Sequence, residues 1–415
     1  MKNLKGACMF AQSGGPTSVI NSSAAGVFLE ALKSPEITKV YGAAHGIKGV
    51  LDEQFYDIGL EDKKELELLK YTPSSALGSV RYKLKDVSVD DTDYKRILEV
   101  FKKYDIRYFF YNGGNDSMDT CNKISKFLNG SGWDCNVIGV PKTIDNDLFG
   151  TDHCPGFASA AKYIATTLME INLDAKVYNT GMVCVIEVMG RNAGWLTAAA
   201  SLAGYKGLGA DLIYLPEVAF DVDKVVSDVE DVLAKNDNKC IAVVSEGIKL
   251  ADGRYVGEFT ASKTDLFGHA QLGGVGQMLA NVIKEKTGIK TRAIELSLMQ
   301  RCGAHLASKV DVEEAFGAGA EAVKAAVSGE TDKMVCFERD MSTGHYVCKY
   351  KLLPLELAAN TEKTVPLDWI TDNGTALSDK FVEYALPLIQ GDAKAPLEDG
   401  LPRFAKLKKV LVEKL

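Results

Sequence analysis

The feature that most constrains this chain is a short apolar run, then a glycine-bearing loop, then a helical pattern, in that order and more than once. Residues 5–10 are apolar and strand-like, GGP follows at 14–16, and 17–32 carry helical spacing. The order returns at 107–111, 113–117 and 118–128, and again at 182–188, 190–194 and 195–203. A strand followed by a helix crosses over and pairs in parallel with a later strand, so an α/β fold is predicted. Further strand candidates lie at 136–140, 210–215, 240–245 and 292–296. In open sheets of this kind the loops after the strands gather at the carboxyl ends, where ligands bind.

With 415 residues, 46% of them apolar, the chain can bury a large core and fill two or more domains. Its formal charge of -8 gives no general attraction for nucleic acid or an anionic membrane, so an anionic substrate needs a local cluster of Arg and Lys. Nine cysteines without disulfide-framework or metal-ligand spacing, no secretory leader, and no membrane-length apolar run suit a reduced cytoplasm. Neither a fixed-period repeat nor a low-complexity segment interrupts the pattern. The loop-like stretch 141–155 is the expected domain crossing. The stretch 351–415 mixes Pro, Asp and Lys with short apolar runs and reads as a C-terminal extension.

Two segments carry the densest chemistry: GGNDS at 113–117 and PKTIDND at 141–147, each after an apolar run. Glycines let backbone N–H groups approach an anion, and the acidic positions after them can hold Mg²⁺ and take a proton from an attacking hydroxyl. Together they read as a phosphoryl-transfer centre. Alone, a GGP turn marks only a strand-to-helix connection, and Asp116 alone reads as a helix N-cap.

Motifs in the same order along residues 1–330 resemble the phosphofructokinase family. They are QSGGPTSVIN at 12–21, GSVR at 78–81, GGNDS, PKTIDND, EVMGRNAG at 187–194, SEG at 245–247 and RAIELSLMQRCG at 292–303. The resemblance implies two Rossmann-like domains with mainly parallel sheets flanked by helices. Residues 1–141, with part of 300–350, would bind the phosphoryl donor; 142–300 would bind a sugar phosphate; 351–415 would be the extension.

The resemblance also assigns roles. Gly14 would meet a donor phosphate, and Arg81 the transferring group, with Lys83 and Lys85 beside it. Asp116 stands where pyrophosphate-using members carry Asp; two like charges about 4 Å apart repel by up to about 4 kcal/mol at an effective dielectric of about 20, which would exclude the ATP α-phosphate. Lys142 replaces the Gly of ATP-using relatives and would neutralise pyrophosphate. Asp145 would accept the proton of the fructose 1-hydroxyl, with Thr143 and Ile144 at the sugar and Asp147 near the metal shell.

Met189, Gly190 and Arg191 would approach the sugar and the transferring phosphate, and Glu246 its hydroxyls. Arg292 and Arg301 would clamp the 6-phosphate, with Leu298 in place of the usual His and Met299 and Gln300 beside it. The competing stretch FGHAQLGG at 267–274 has Leu272 where Arg is expected and reads as an insertion. Asn115 replaces an Asp, so Mg²⁺ on Asn115 and Asp116 would lean on pyrophosphate oxygens and water. Met182 stands where allosteric bacterial members carry an Arg, which points away from their tetramers and favours a homodimer. The implied activity is reversible phosphoryl transfer from pyrophosphate to fructose 6-phosphate; an ATP-dependent kinase and a non-catalytic sugar-phosphate sensor stay open beside it.

Overall fold

The computed structural model describes residues 4–259, 274–359 and 361–414. In chain order the strands of the two main sheets are β1 (Gly6–Gln12), β2 (Ile37–Ala43), β3 (Phe55–Asp57), β4 (Ile106–Gly113), β5 (Asn136–Pro141), β6 (Met182–Val188), β7 (Leu212–Tyr214), β8 (Lys239–Ser245), β9 (Thr291–Glu295), β10 (Lys333–Asp340) and β11 (Val347–Pro354). Seven of them form one sheet in the order β11-β10-β5-β4-β1-β2-β3, and four form another in the order β7-β8-β6-β9. Every pair in the smaller sheet is parallel. In the larger sheet only β2–β3 and β10–β11, at the two edges, are antiparallel. The expected α/β class with two mainly parallel sheets flanked by helices is what the chain adopts.

Burial explains the central strands. β1 and β6 are buried at every position, as a strand covered by helices on both faces must be. The helix after β1 starts at Ile20 rather than at 17, and runs to Ala31. It packs against the helix Lys309–Val327 so closely that a Cβ at Gly26 would stand 2.0 Å from the Phe316 carbonyl oxygen, and one at Gly319 2.1 Å from that of Ser23. Two glycines thus let the backbones touch where any side chain would push them apart. The helical pattern at 195–203 forms two short pieces, Trp195–Ala198 and Ser201–Gly204.

The stretch 351–415 is woven into both sheets. β11 completes the larger one, and Val365, Phe381, Ala385 and Leu388 pack into the apolar core beside β6. Farther on, Val412 N–H donates to the Phe55 carbonyl and Asp57 N–H to the Val410 carbonyl, so the chain returns to β3. Among the described residues no helix is long and apolar enough to cross a membrane. Apart from its last glycine, FGHAQLGG lies outside the described residues.

Candidate active site

The carboxyl ends of β1, β4, β5, β6 and β8 open on one cleft of about 850 Å³. Its lining includes Gly14, Arg81, Asn115, Asp116, Lys142, Thr143, Ile144, Asp145, Met189, Arg191, Glu246 and Arg301. Residues scattered over almost 290 positions are brought together because every parallel strand delivers its following loop to the same side.

One wall is built from the loops after β1, β4 and β5. Gly14 turns with φ of 75°, and a Cβ there would stand 3.3 Å from Lys142 Nζ. Lys142 is buried and donates from Nζ to the Gly15 carbonyl at 2.7 Å. Burial, reinforced by the Arg301 and Arg81 charges and opposed by Asp145 and Asp147, pulls its ammonium down to about 8. Arg301 reaches the same place from the other sheet: a Cβ at Gly15 would lie 3.0 Å from its Nη1. The helix Asn115–Ser131 points its amino end here, and no side chain caps it at Gly114. Uncapped N–H groups and the positive end of the helix dipole suit an anion.

The turn 143–147 crosses the floor. Thr143 N–H donates to the Pro155 carbonyl at 3.2 Å, and Asp145 N–H to Thr143 Oγ1 at 3.1 Å. Asn146 takes φ of 56°, which turns the chain between Asp145 and Asp147. Both carboxyls are raised above the ordinary range, first by burial. Lys142 opposes the rise at Asp145, while Asp145 and Glu362 push Asp147 up to about 7.

This floor fits a hard cation. Asn115 Nδ2 donates to Asp147 Oδ2 at 3.1 Å, and the amide oxygen Asn115 Oδ1 and the second carboxylate oxygen Asp147 Oδ1 are buried without a hydrogen-bond partner. Orphaned side-chain oxygens on two hydrogen-bonded residues are the donor type a divalent ion such as Mg²⁺ accepts. Asp147 is thus hydrogen-bonded to Asn115, while Asp116 lies in the same cleft. Asp116 lines the cleft from the first turn of its helix. Among the described residues no three His, Cys, Asp or Glu side chains form a metal cluster, so substrate oxygens and water would complete the shell.

The opposite wall comes from the smaller sheet. Gly190, at φ of 136°, donates its N–H to Glu246 Oε1 at 3.2 Å, and Ser245 Oγ donates to the Gly190 carbonyl at 2.6 Å. Burial is the main reason that the Glu246 carboxyl rises to about 7; nearby Asp145 adds to it and Arg191 opposes. Gln300 fastens this loop by accepting the Met189 N–H at 3.1 Å. It is 2% exposed, so it holds the wall rather than offering a ligand group, whereas Leu298 and Met299 are exposed.

Arg292 is not brought to the cleft. It lies beside Cys184 in the β6–β9 register and lines a separate cavity of about 280 Å³ with Glu170, Asp174 and Met182. The expected clamp of Arg292 with Arg301 therefore does not form within one chain: Arg292 sits early in β9, and the cleft lies past its carboxyl end. Conversely, Asn192, Tyr255, Glu258 and Glu362, to which no motif gives a role, line the cleft. Tyr255 Oη donates to Asn192 Oδ1 at 2.5 Å and Asn192 Nδ2 to Glu362 Oε1 at 2.9 Å. Asn192 follows Arg191 directly and could have been found as a loop neighbour; nothing around Glu362 marks it.

Fold and cleft together define a phosphotransferase of the two-sheet α/β kind. The family described as phosphofructokinase matches residues 7–326, and the chain belongs to it. Over 410 residues it is 44% identical to a pyrophosphate–fructose 6-phosphate 1-phosphotransferase of Halomonas elongata, covering 98% of this chain and 97% of that one. A namesake from Xanthomonas campestris is 43% identical over 413 residues, covering 99% and 98%. A crystal structure of a pyrophosphate-dependent phosphofructokinase from Marinobacter aquaeolei superimposes with a TM-score of 0.89 at 41% identity, covering 99% of this chain and 98% of that one.

Proposed function

We propose that the protein transfers a phosphoryl group reversibly between pyrophosphate and the 1-hydroxyl of fructose 6-phosphate, with Mg²⁺ as the metal. The observation that carries this reading is Lys142, a buried lysine set between the Gly14–Gly15 loop and Asp145. A compact cation in that place suits a donor that is all phosphate, with no base or ribose to grip. The activity for which the Halomonas elongata relative is named supports the same donor and sugar.

Asp145 takes the proton from O1 as O1 bonds to the near phosphorus of pyrophosphate. The bridging P–O bond breaks, and phosphate departs with its electron pair. Lys142, Arg81 and Arg191 balance the charge shared between the two phosphoryl groups. Glu246, Thr143, Ile144 and Met189 position the sugar, and Arg301 binds its 6-phosphate. Asn115 and Asp147 would hold the metal, which supplies charge neutralisation on the phosphate oxygens when bound. Asp116 faces the place where an ATP α-phosphate would go. Purified protein with fructose 6-phosphate should give fructose 1,6-bisphosphate with pyrophosphate and no product with ATP; the reverse preference would overturn the donor assignment.

A further inference from the structure

The turn that carries Asp145 and Asp147 is held from a part of the chain beyond the matched family region. Asn146, between the two carboxylates, is completely buried and has left-handed backbone. Its side chain makes two bonds: Oδ1 accepts the Cys154 N–H at 2.9 Å, and Nδ2 donates to Tyr384 Oη at 2.8 Å. Tyr384 Oη in turn donates to the Asp152 carbonyl at 2.8 Å. The tyrosine belongs to the helix Asp379–Ala385, past residue 326, where the family match ends.

Behind this hydroxyl is a chain of buried charges. Asp152 takes two bonds from Arg339 on β10, at 3.1 and 3.0 Å, and one contact from His153 Nδ1 at 2.8 Å. His153 Nε2 lies 2.7 Å from Glu314 Oε2 on the helix Lys309–Val327, and Glu314 Oε1 accepts from Tyr346 Oη at 2.7 Å. Arg339, Asp152, His153, Glu314 and Tyr346 satisfy one another within the network, so it is self-sufficient and rigid rather than a ligand site. The Tyr384 ring is fixed as well, lying 5.2 Å from Trp195, 5.6 Å from Trp369 and 6.2 Å from Phe381 between centroids. A hydroxyl immobilised from both sides can set the angle of the residue it grips.

We propose that Tyr384, acting through Asn146, is a positioning residue that aims Asp145 and Asp147 into the cleft. It touches no reacting atom. Its hydrogen bond fixes a left-handed residue from which the two carboxylates are reached in opposite directions along the chain, so loosening it misaligns base and metal floor together. This inference rests on the roles given to those carboxylates above.

The test is Tyr384→Phe, which keeps the ring and removes the hydroxyl. Its turnover should fall about tenfold or more, since small misplacement of reacting groups is costly, while KM for both substrates stays within about twofold. Tyr346→Phe loses a hydroxyl from the same network on the side away from Asn146; it should lower the melting temperature and leave turnover intact. Asn146→Gly, which tolerates the same backbone angle, removes this bond together with the one to Cys154 and should lose at least as much turnover, and adding Tyr384→Phe to it should cost little more, because the bond between the two side chains is already gone. Rates are measured with whichever donor the wild type uses, so a wild type inactive with pyrophosphate overturns the donor reading and leaves this test standing. Turnover of Tyr384→Phe and Asn146→Gly within about twofold of wild type, or an equal loss in Tyr346→Phe, would overturn the positioning role.

Discussion

On the donor wall of the cleft a buried cation, Lys142, is bonded to the Gly15 carbonyl, whereas on the sugar wall a half-buried carboxylate, Glu246, accepts the N–H of Gly190. Burial shifts the two in opposite senses: the lysine is pulled down to about 8, the glutamic acid pushed up to about 7. The difference matches what each wall must bind. A polyanion needs positive charge waiting without water; sugar hydroxyls need an acceptor. Keeping a group desolvated before its partner arrives costs stability and gives selectivity at the moment of binding.

The sharpest break in this comparison lies between the walls. Asp145→Asn should lose about 10²-fold or more in turnover through loss of the general base, with a smaller change in sugar affinity; steady-state rates in both directions check this, and near-normal turnover would remove Asp145 from the mechanism. Next in size are donor-wall changes. Lys142→Met should cut kcat/KM for pyrophosphate by about 10- to 100-fold and leave the sugar KM within about threefold, without admitting ATP. Asp116→Gly should do the opposite for donor choice, giving ATP turnover or ATP-competitive inhibition where wild type shows neither. An unchanged donor preference in both variants would erase the distinction between the walls.

The smallest expected effect is on pH dependence, and its sign separates the walls. Glu246 is ionised above about 7, so sugar KM should rise as pH falls through that value, by at most about tenfold per unit. Lys142 is charged below about 8, so kcat/KM for pyrophosphate should fall as pH climbs past it. Glu246→Gln should flatten the acid dependence of sugar KM. An acid limb of turnover is expected from protonation of the proposed base, Asp145, and should survive that substitution.

The strands that deliver the site were readable because β1, β4, β5, β6 and β8 are short apolar runs ended by Gly, Pro or Ser loops, a pattern that burial on both faces demands. β11 was not, because an edge strand alternates: Lys349 and Lys351 face solvent and look like loop. β3, at three residues, gives no period to detect. Within the site, residues clustered in glycine loops were legible since their chemistry is contiguous. Glu362 was hidden because it reaches the cleft only by tertiary folding, through Asn192. Arg292 shows the converse error. Its spacing from Arg301 was right, but Arg292 sits inside β9, which ends at Glu295, and the turn and short helix that follow carry Arg301 alone to the cleft, so within one chain the two arginines line different cavities.

The larger sheet takes β10 as the neighbour of β5, although about 190 residues of chain separate the end of one from the start of the other. At a synthesis rate of roughly 5–20 residues per second, a nascent chain carries an incomplete sheet for about 10–40 s while the smaller sheet is being made. During that interval Val137, Ile138 and Val140 form an unpaired apolar edge of the kind that recruits other strands. Ribosome-bound chains halted before residue 333 should be cut by protease at this edge and bind a holdase chaperone, and chains halted well past β11 should resist both.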